Sequence, residues 1–211
     1  MFREVLRKVC VEDLKHVVVA EAADGAKAVD LVTKHSPDLV LLDLHLPNLD
    51  GFSIIEALRK TAARDLHILV LSSHCDEYTV FRAERLRVQG FVDKNTNTVA
   101  TLKAAITAVA DGQAWFSEAF LRVKKARLRD PQSFDKLLTE RERIVLALIG
   151  EPMTDIEIAE RLTIASETVE KHRFNILRKL GLESTAELAR YAREHGFTLA
   201  ARKGAGGALL P

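Results

Sequence analysis

The first half of the chain alternates short apolar runs with segments of helical periodicity, and this alternation constrains the fold more than any other feature. Between residues 14 and 112 the short runs predict four strands, over His16–Ala20, Leu39–Leu42, Leu66–Leu71 and Gly90–Val92. Strands that are apolar throughout are typical of a parallel sheet with helices on both faces. Repeated strand–helix units imply right-handed crossover connections between the strands. We therefore predict an α/β, doubly wound parallel sheet over residues 1–112.

Composition narrows the possible functions without selecting one. The 31 basic and 30 acidic side chains give a net charge of +1, so any nucleic-acid surface must be local. The two cysteines, Cys10 and Cys75, are too few for a disulfide framework or a four-cysteine zinc site. No apolar run approaches the roughly 18 residues of a membrane span, and the first residues lack an apolar signal region. We expect a cytoplasmic protein with no membrane partner.

The rest of the chain predicts a linker, a helical domain and a tail. Residues 113–137 contain the run Leu121–Arg129, which has five basic side chains and is typical of a solvated connector or of a contact with DNA phosphates. Residues 138–196 have helical periodicity throughout, which predicts an all-α, four-helix domain. Its helices are predicted over Glu140–Ile149, Asp155–Leu162, Glu167–Leu180 and Thr185–Glu194. Residues 197–211 are rich in glycine and alanine and predict a flexible tail.

Polar side chains follow three of the predicted strands at the point where each strand ends. Asp43 closes the second strand, Ser72 follows the third, and Lys94 lies just beyond the fourth. The carboxyl ends of parallel strands form the crevice in which open α/β sheets bind ligands. A carboxylate there can attack a phosphoryl donor, while a hydroxyl and an ammonium each hold a phosphoryl oxygen. The three residues therefore predict acyl-phosphate chemistry at this edge of the sheet.

The stretch Pro37–Gly51 has an aspartate at a strand end, a proline four residues later and then Asp-Gly, and it resembles a response-regulator receiver domain. The resemblance covers residues 2–112 and implies a flavodoxin-like fold with Asp43 as the phospho-acceptor. It also implies a sensor histidine kinase as partner and a Mg²⁺ ion that neutralises the phosphoryl group. The implied switch hydroxyl, switch aromatic and phosphate-binding lysine are Ser72, Phe91 and Lys94.

The start of the sequence departs from the receiver pattern. Met1–Arg7 resembles the inside of the family's first helix, so the first strand and its adjacent acidic pair are missing. Glu12 and Asp13 lie after that helix and do not replace the pair. Asp43 is then the one remaining metal ligand, and we expect an incomplete Mg²⁺ site and weak or absent phosphorylation. We also expect an N-terminally incomplete receiver with an altered sheet, because two strands lose a shared neighbour and its hydrogen bonds.

The helical domain contains signals for two short helices joined by a tight turn. Thr139 and Glu142 fit a capping box at the start of its first helix. Asp155–Leu162 predicts a short amphipathic helix, Thr163–Ala165 a three-residue turn, and Ser166 the cap of the next helix. This arrangement is the helix-turn-helix plan, in which the second helix lies in the major groove of DNA.

Residues 138–196 resemble a LuxR-type helix-turn-helix domain, and the resemblance is carried by Leu138–Glu142, Glu157–Ala159 and Thr168–Gly181. A receiver followed by such a domain resembles the NarL/FixJ-type response regulators. The resemblance implies double-stranded DNA as the partner and a homodimer paired through Thr185–Glu194. The candidate DNA contacts on the second helix of the motif are Thr168, Glu170, Lys171, Arg173, Asn175 and Lys179.

Several positions on this helix carry more specific expectations. Glu170 stands where many family members have a lysine, and a glutamate can accept a hydrogen bond from cytosine N4. Phe174 either contacts a thymine methyl group or packs against its own domain, and we favour packing. His172 is expected to be a buried packing residue. The helical spacing predicts an outward face formed by Glu167, Glu170, Lys171, Arg173 and Lys179.

These observations predict a non-enzymatic, sequence-specific transcription regulator of the two-component type. One alternative is a DNA-binding regulator that works without phosphorylation and uses the receiver as a dimerisation scaffold. Another is an interaction protein that binds no DNA and sequesters its partners. The unusual start has three explanations: a native start upstream, a genuinely short chain whose strands pair directly or with a partner chain, and a decayed gene.

Overall fold

The computed structural model divides the protein into two compact units. The described residues are 2–46, 50–61, 66–96 and 98–198. Within these ranges, the first unit comprises the residues up to Cys75 together with Ala83–Leu121, and the second comprises Asp76–Arg82 and the residues from Arg122 onward.

The first unit is built on a parallel sheet whose strands follow one another in chain order. The strands are β1 (Leu39–Asp43), β2 (His67–Ser72), β3 (Gly90–Asp93) and β4 (Trp115–Phe116), in the order β1-β2-β3-β4. Asp43 pairs with Leu71, and Ser72 pairs with Asp93. This register brings the carboxyl ends of β1, β2 and β3 to one edge, as predicted for a doubly wound sheet.

Helices connect these strands along the chain. In chain order they are α1 (Phe2–Lys8), which continues into a π-helical turn (Val9–Asp13), α2 (Gly25–His35), α3 (Gly51–Thr61), α4 (Glu77–Arg85) and α5 (Val99–Ala110). One face of the sheet packs Leu69, Leu71 and Val92 against α5 and the π-helical turn. The alternate residues of β2, Ile68 and Val70, point to the other face and are also fully buried. Burial on both faces explains why these strands are apolar throughout.

The prediction of a strand over His16–Ala20 is wrong. Residues 15–20 have no regular secondary structure, although the backbone N–H of His16 donates to the carbonyl of Cys10 at 2.8 Å. Val17 is 85% exposed. A β-branched run becomes a strand only where a neighbouring strand supplies ladder hydrogen bonds. In the described part of the chain, β1 is hydrogen-bonded to β2 alone, so this run has no ladder to join.

The prediction of a linker over 113–137 is also corrected. Trp115 and Phe116 form β4, because the N–H of Trp115 donates to the carbonyl of Gln89 (3.0 Å) and the N–H of Ser117 to that of Phe91 (3.0 Å). A strand of two residues is too short to show periodicity. The basic run belongs to a regular helix, α6 (Glu118–Arg129), which is followed by α7 (Phe134–Leu137). The first unit therefore extends beyond the predicted boundary at residue 112.

The four helices predicted for the C-terminal part are all present. They are α8 (Glu140–Ile149), α9 (Asp155–Leu162), α10 (Ser166–Leu180) and α11 (Thr185–Glu194). The predicted role of Ser166 is wrong, since it lies inside α10 and the cap is Ala165, which makes no side-chain capping bond. Gly181 ends α10 in the left-handed conformation (φ 66°), which glycine adopts without strain.

The second unit has one hydrophobic core. Fully buried side chains from α8, α9, α10 and α11 meet there, among them Leu146, Ile158, Val169, Ile176 and Leu188. Phe197 is also fully buried in this core, so the predicted tail cannot begin at residue 197. Residues 199–211 of that prediction lie outside the described residues. None of the helices in the described ranges is long and apolar enough to cross a membrane.

Candidate phospho-acceptor site and nucleic-acid interface

Asp43 and Lys94 form an ion pair at the carboxyl end of the sheet. Asp43 is the last residue of β1, and its Oδ2 accepts a hydrogen bond from Lys94 Nζ at 2.6 Å. Its Oδ1 accepts from the backbone N–H of His45 at 2.8 Å. The two charged side chains are 29% and 20% exposed, respectively, so the carboxylate is held in place yet open to solvent on one side. An ammonium at this distance can also hold an oxygen of a phosphoryl group on Asp43.

The turn after β3 positions Lys94. The backbone N–H of Lys94 donates to the carbonyl of Ser72 at 2.8 Å. The carboxylate of Asp93 accepts from the backbone N–H of Asn95 (2.9 Å) and from the hydroxyl of Thr96 (3.1 Å). These bonds fix the backbone at the start of the lysine side chain, which reaches across the strand ends to Asp43.

Ser72 and Phe91 occupy the positions expected from the strand register. Ser72 ends β2 and is fully buried, and its Oγ accepts from the backbone N–H of His74 at 3.1 Å. It lies one residue beyond the partner of Asp43. Phe91 is fully buried in β3, with its ring centroid 5.0 Å from that of Phe120. The structure therefore brings Asp43, Ser72 and Lys94 to one edge, while Phe91 lies inside the unit.

Two histidines beside Asp43 were not found by sequence reasoning. The ring centroids of His45 and His74 lie 4.5 Å apart, and His45 Nδ1 is 3.9 Å from Asp43 Oδ1. His45 follows β1 and His74 follows β2, so only the pairing of these strands brings the two rings together. No local sequence signal reports such a pair. Residues 47–49 of the receiver-like stretch lie outside the described residues.

The described residues form no side-chain cluster that could hold a Mg²⁺ ion by itself. Magnesium takes near-octahedral oxygen ligands and is usually held by one or two carboxylates together with phosphate oxygens and waters. Within the described ranges there is no group of three or more histidine, cysteine, aspartate or glutamate side chains that could hold a metal. Asp13 is ion-paired to Lys103 at 2.7 Å, and Glu12 to Lys8 at 3.9 Å. Asp43 therefore has no two further carboxylate, thiolate or imidazole side chains placed with it to complete a metal site within the described ranges.

Two capping boxes start α8 and α9, the first two helices of the LuxR-like domain. The hydroxyl of Thr139 accepts from the backbone N–H of Glu142, and the carboxylate of Glu142 accepts from the backbone N–H of Thr139, which confirms the predicted box. Thr154 and Glu157 repeat this arrangement at the start of α9. Thr163 ends α9 in the left-handed conformation (φ 53°), which turns the chain sharply into α10. Each box satisfies backbone N–H groups that a helix start leaves unpaired.

The predicted DNA-contacting residues divide into two groups. Thr168, Glu170 and Lys171 are exposed, and Asn175 is half-buried. Arg173 forms an ion pair with Asp155 of α9, and burial lowers the pKa of its guanidinium. Lys179 donates to both carboxylate oxygens of the buried Glu142, at 2.9 and 2.7 Å. The expectation that Arg173 and Lys179 point outward is therefore corrected, because each is paired within its own unit.

Phe174 and His172 also differ from expectation. The prediction that Phe174 packs against its own domain is wrong, because its side chain is 65% exposed in the middle of α10. His172, predicted to be buried, is half-buried. The buried face of α10 is formed by Val169 and Ile176, which are both fully buried.

Comparison with known proteins identifies both parts of the chain. Residues 1–107 match the family described as the response regulator receiver domain, and residues 136–192 match the luxR family of bacterial regulatory proteins. Together, the parallel sheet, the helix-turn-helix and these matches define a protein with a receiver and a LuxR-type DNA-binding domain. The chain belongs to the NarL/FixJ-type response regulators, which are transcription regulators of two-component systems and not enzymes.

Curated relatives support this membership over most of the chain. The Fimbriae Z protein of Salmonella typhimurium is 33% identical over 84% of this chain and 84% of its own length. The transcriptional regulatory protein MctR of Rhizobium johnstonii is 33% identical over 90% and 87% of the two chains. The nitrate/nitrite response regulator NarL of Escherichia coli is 34% identical over 82% and 81%.

Solved structures of lower identity share the fold. RcsB of Salmonella typhimurium, described as a response regulator with conformational dynamism for DNA interaction, has a TM-score of 0.58 at 22% identity and covers 91% of this chain and 92% of its own. RcsB of Salmonella enterica serovar Typhimurium, bound to the promoter P1flhDC with the phosphomimetic BeF₃⁻, has a TM-score of 0.61 at 23% identity over 92% and 93% of the chains.

Proposed function

We propose that this response regulator binds double-stranded DNA sequence-specifically and is controlled by phosphorylation of Asp43. The proposal assigns the phosphoryl donor to a sensor histidine kinase, the working form to a homodimer paired through α11, and the site of action to the cytoplasm. The observation that carries the regulatory half is the Asp43–Lys94 hydrogen bond of 2.6 Å at the strand ends. The observation that carries the DNA half is the exposed side of α10.

The chemistry at Asp43 follows from the groups around it. An Asp43 oxygen attacks the phosphorus of the donor, the bond between phosphorus and the donor breaks, and an acyl phosphate forms. Lys94 then holds one phosphoryl oxygen, which replaces its present bond to the carboxylate. Ser72, beside it at the end of β2, donates a hydrogen bond from its hydroxyl to another phosphoryl oxygen and keeps the bond that its Oγ accepts from the backbone N–H of His74. Phe91 lies in β3 two residues before the partner of Ser72, and we assign it the family's role of switch aromatic.

The DNA contacts are proposed from exposure and hydrogen-bonding chemistry. Thr168 and Lys171 bind phosphates or base edges, and Glu170 accepts from cytosine N4 where the site carries a cytosine. Asn175 is half-buried, and we assign it a contact with the sugar-phosphate backbone of the DNA rather than with the bases. Arg173 contributes only when its ion pair with Asp155 opens. We assign Lys179 a stabilising role, since its ammonium is bonded to a buried carboxylate.

The DNA-binding half is tested with the full chain and a pool of random-sequence duplexes. The wild type is expected to enrich a defined sequence, and Lys171→Ala to weaken binding to it about tenfold and to lower the salt dependence by about one phosphate contact. Lys34→Ala, an exposed lysine in α2 of the first unit, is the matched control and leaves binding unchanged. Equal binding by Lys171→Ala and wild type would contradict the proposed interface and favour the sequestering protein.

The regulatory half is tested with acetyl phosphate carrying a labelled phosphoryl group, with and without Mg²⁺. We expect label on the wild type that is lost in Asp43→Asn and reduced in Lys94→Met. A second candidate function is DNA binding without phosphorylation, with the first unit as a dimerisation scaffold. It is favoured by the lack, among the described residues, of any cluster of three or more side chains that could hold a metal ion. An unlabelled wild type that still enriches a DNA sequence would select this second function.

A further inference from the structure

Phe174 is an exposed aromatic side chain at the centre of the helix proposed to enter DNA. Phe174 is 65% exposed, which equals the exposure of Ile156, and among the described residues of the second unit no large apolar residue is more exposed. Burial of a phenylalanine is worth about 1.5–3 kcal/mol, so the exposed ring leaves an apolar surface without a partner inside its own unit.

Helical geometry explains why Phe174 cannot join the core. At 100° per residue, it lies about 140° around α10 from Val169 and about 160° from Ile176, the two buried anchors of the helix. The same geometry places it one turn after Glu170 and Lys171, which are both exposed. The phenyl ring therefore shares the outermost face of α10 with side chains that we assign to DNA.

We propose that Phe174 selects thymine in the bound DNA by contact with its 5-methyl group. This inference rests on the proposed DNA-binding function and makes it more specific. The thymine methyl is the one apolar group that a base pair presents in the major groove, and phenylalanine is among the side chains that can recognise it. Lys171 and Glu170 offer hydrogen bonds to neighbouring base edges and phosphates. Phe174 thus specifies a position in the recognition sequence that hydrogen-bonding side chains do not.

The test removes the methyl group and the phenyl ring separately. The wild-type full chain first enriches a sequence from a random duplex pool, and each thymine in that sequence is then replaced by deoxyuridine, which lacks only the methyl. At one position in each half-site, the replacement is expected to weaken wild-type binding about fourfold, from roughly 0.8 kcal/mol per buried methyl-sized group. Phe174→Ala is expected to bind the two duplexes equally well.

Two further variants test whether the preference for thymine depends on an apolar side chain at position 174 or on any exposed apolar side chain of the domain. Phe174→Leu retains part of the preference for thymine, because it retains an apolar group at the position. Ile156→Ala removes an equally exposed side chain from α9 and retains the full preference. The proposal is overturned if Phe174→Ala discriminates thymine from deoxyuridine as the wild type does, or if no replacement affects the wild type. If the wild type enriches no sequence at all, the proposed DNA-binding function fails with it.

Discussion

The buried carboxylate of Glu142 is bonded both to the start of α8 and to the last turn of α10, so its loss should lower the stability of the second unit. Glu142 is 4% exposed. Its Oε2 accepts from the backbone N–H (2.7 Å) and the hydroxyl (2.9 Å) of Thr139, at the start of α8. Both oxygens accept from Lys179, near the end of α10. One charged group therefore satisfies the capping box and holds α10 against α8.

The substitution Glu142→Gln removes the charge and leaves the shape nearly unchanged. Hydrogen bonds to a charged group contribute about 1.5–3 kcal/mol, and the amide retains one of the two acceptors. Lys179 remains 30% exposed, so water takes over part of its solvation and limits the loss. We expect the free energy of unfolding of the second unit to fall by about 2 kcal/mol at pH 7.

The effect should depend on pH in a defined direction. Burial by itself would raise the pKa of Glu142, but the hydrogen bonds from Lys179 and Thr139 outweigh it and hold the pKa below its ordinary value of 4.5. A carboxyl whose folded-state pKa is lowered stabilises the protein above the unfolded-state pKa and loses that contribution as the pH falls through the folded-state value. The difference between wild type and Glu142→Gln should therefore shrink as the pH falls below about 4.5.

Amide hydrogen exchange of the full chain measures this difference within the second unit. At pH 7, peptides from α8 and α10 should exchange about 30-fold faster in Glu142→Gln, as expected for 2 kcal/mol. Urea unfolding followed at a series of pH values gives the pH dependence. Glu157→Gln is the control, because Glu157 occupies the same kind of capping box but is exposed, and it should change exchange much less. Equal effects of the two substitutions would refute the reasoning about burial and the lysine.

The remaining predictions concern packing and thiol chemistry. Gly90→Ala should destabilise the first unit by about 1–3 kcal/mol in thermal unfolding, because the new methyl group would lie 2.5 Å from a leucine of β2 and 2.8 Å from a valine of α5. Phe197→Ala should cost the second unit about 3–5 kcal/mol in urea unfolding, because the ring is fully buried. In native protein, iodoacetamide should modify Cys75 before Cys10, because burial raises the pKa of the Cys10 thiol. Mass spectrometry of the labelled peptides checks that order.

Local patterns were sufficient to predict most elements of the two units. The bounds of the helices α8, α9 and α11 agree with the predictions from periodicity and capping signals, and β1 extends one residue beyond its predicted end at Leu42. Asp43 and Lys94 are 51 residues apart in sequence, yet their convergence could be predicted, because parallel strands end at a common edge. The capping box of Thr139 and Glu142 could also be predicted, since all of its atoms lie within one turn.

The errors arose where an element depends on a neighbour distant in sequence. The run at 16–20 has strand composition but no strand beside it in the described chain. Trp115 and Phe116 form a strand only because β3 supplies the hydrogen bonds. The pairing of His45 with His74 beside Asp43 has no local signature either, because it results from the register of two strands.

The sequence by itself determined the two-part organisation, the strand-end aspartate and lysine, and the helix-turn-helix, because each is specified by periodicity or by spacing within a few residues. The tertiary structure decided how the charged and aromatic side chains of α10 are used. Lys179 is bonded to a carboxylate 37 residues away, Arg173 is paired to another helix, and Phe174 remains exposed. Whether a side chain binds a neighbour or faces solvent depends on where the other helices pack, and helical spacing alone carries no information about that.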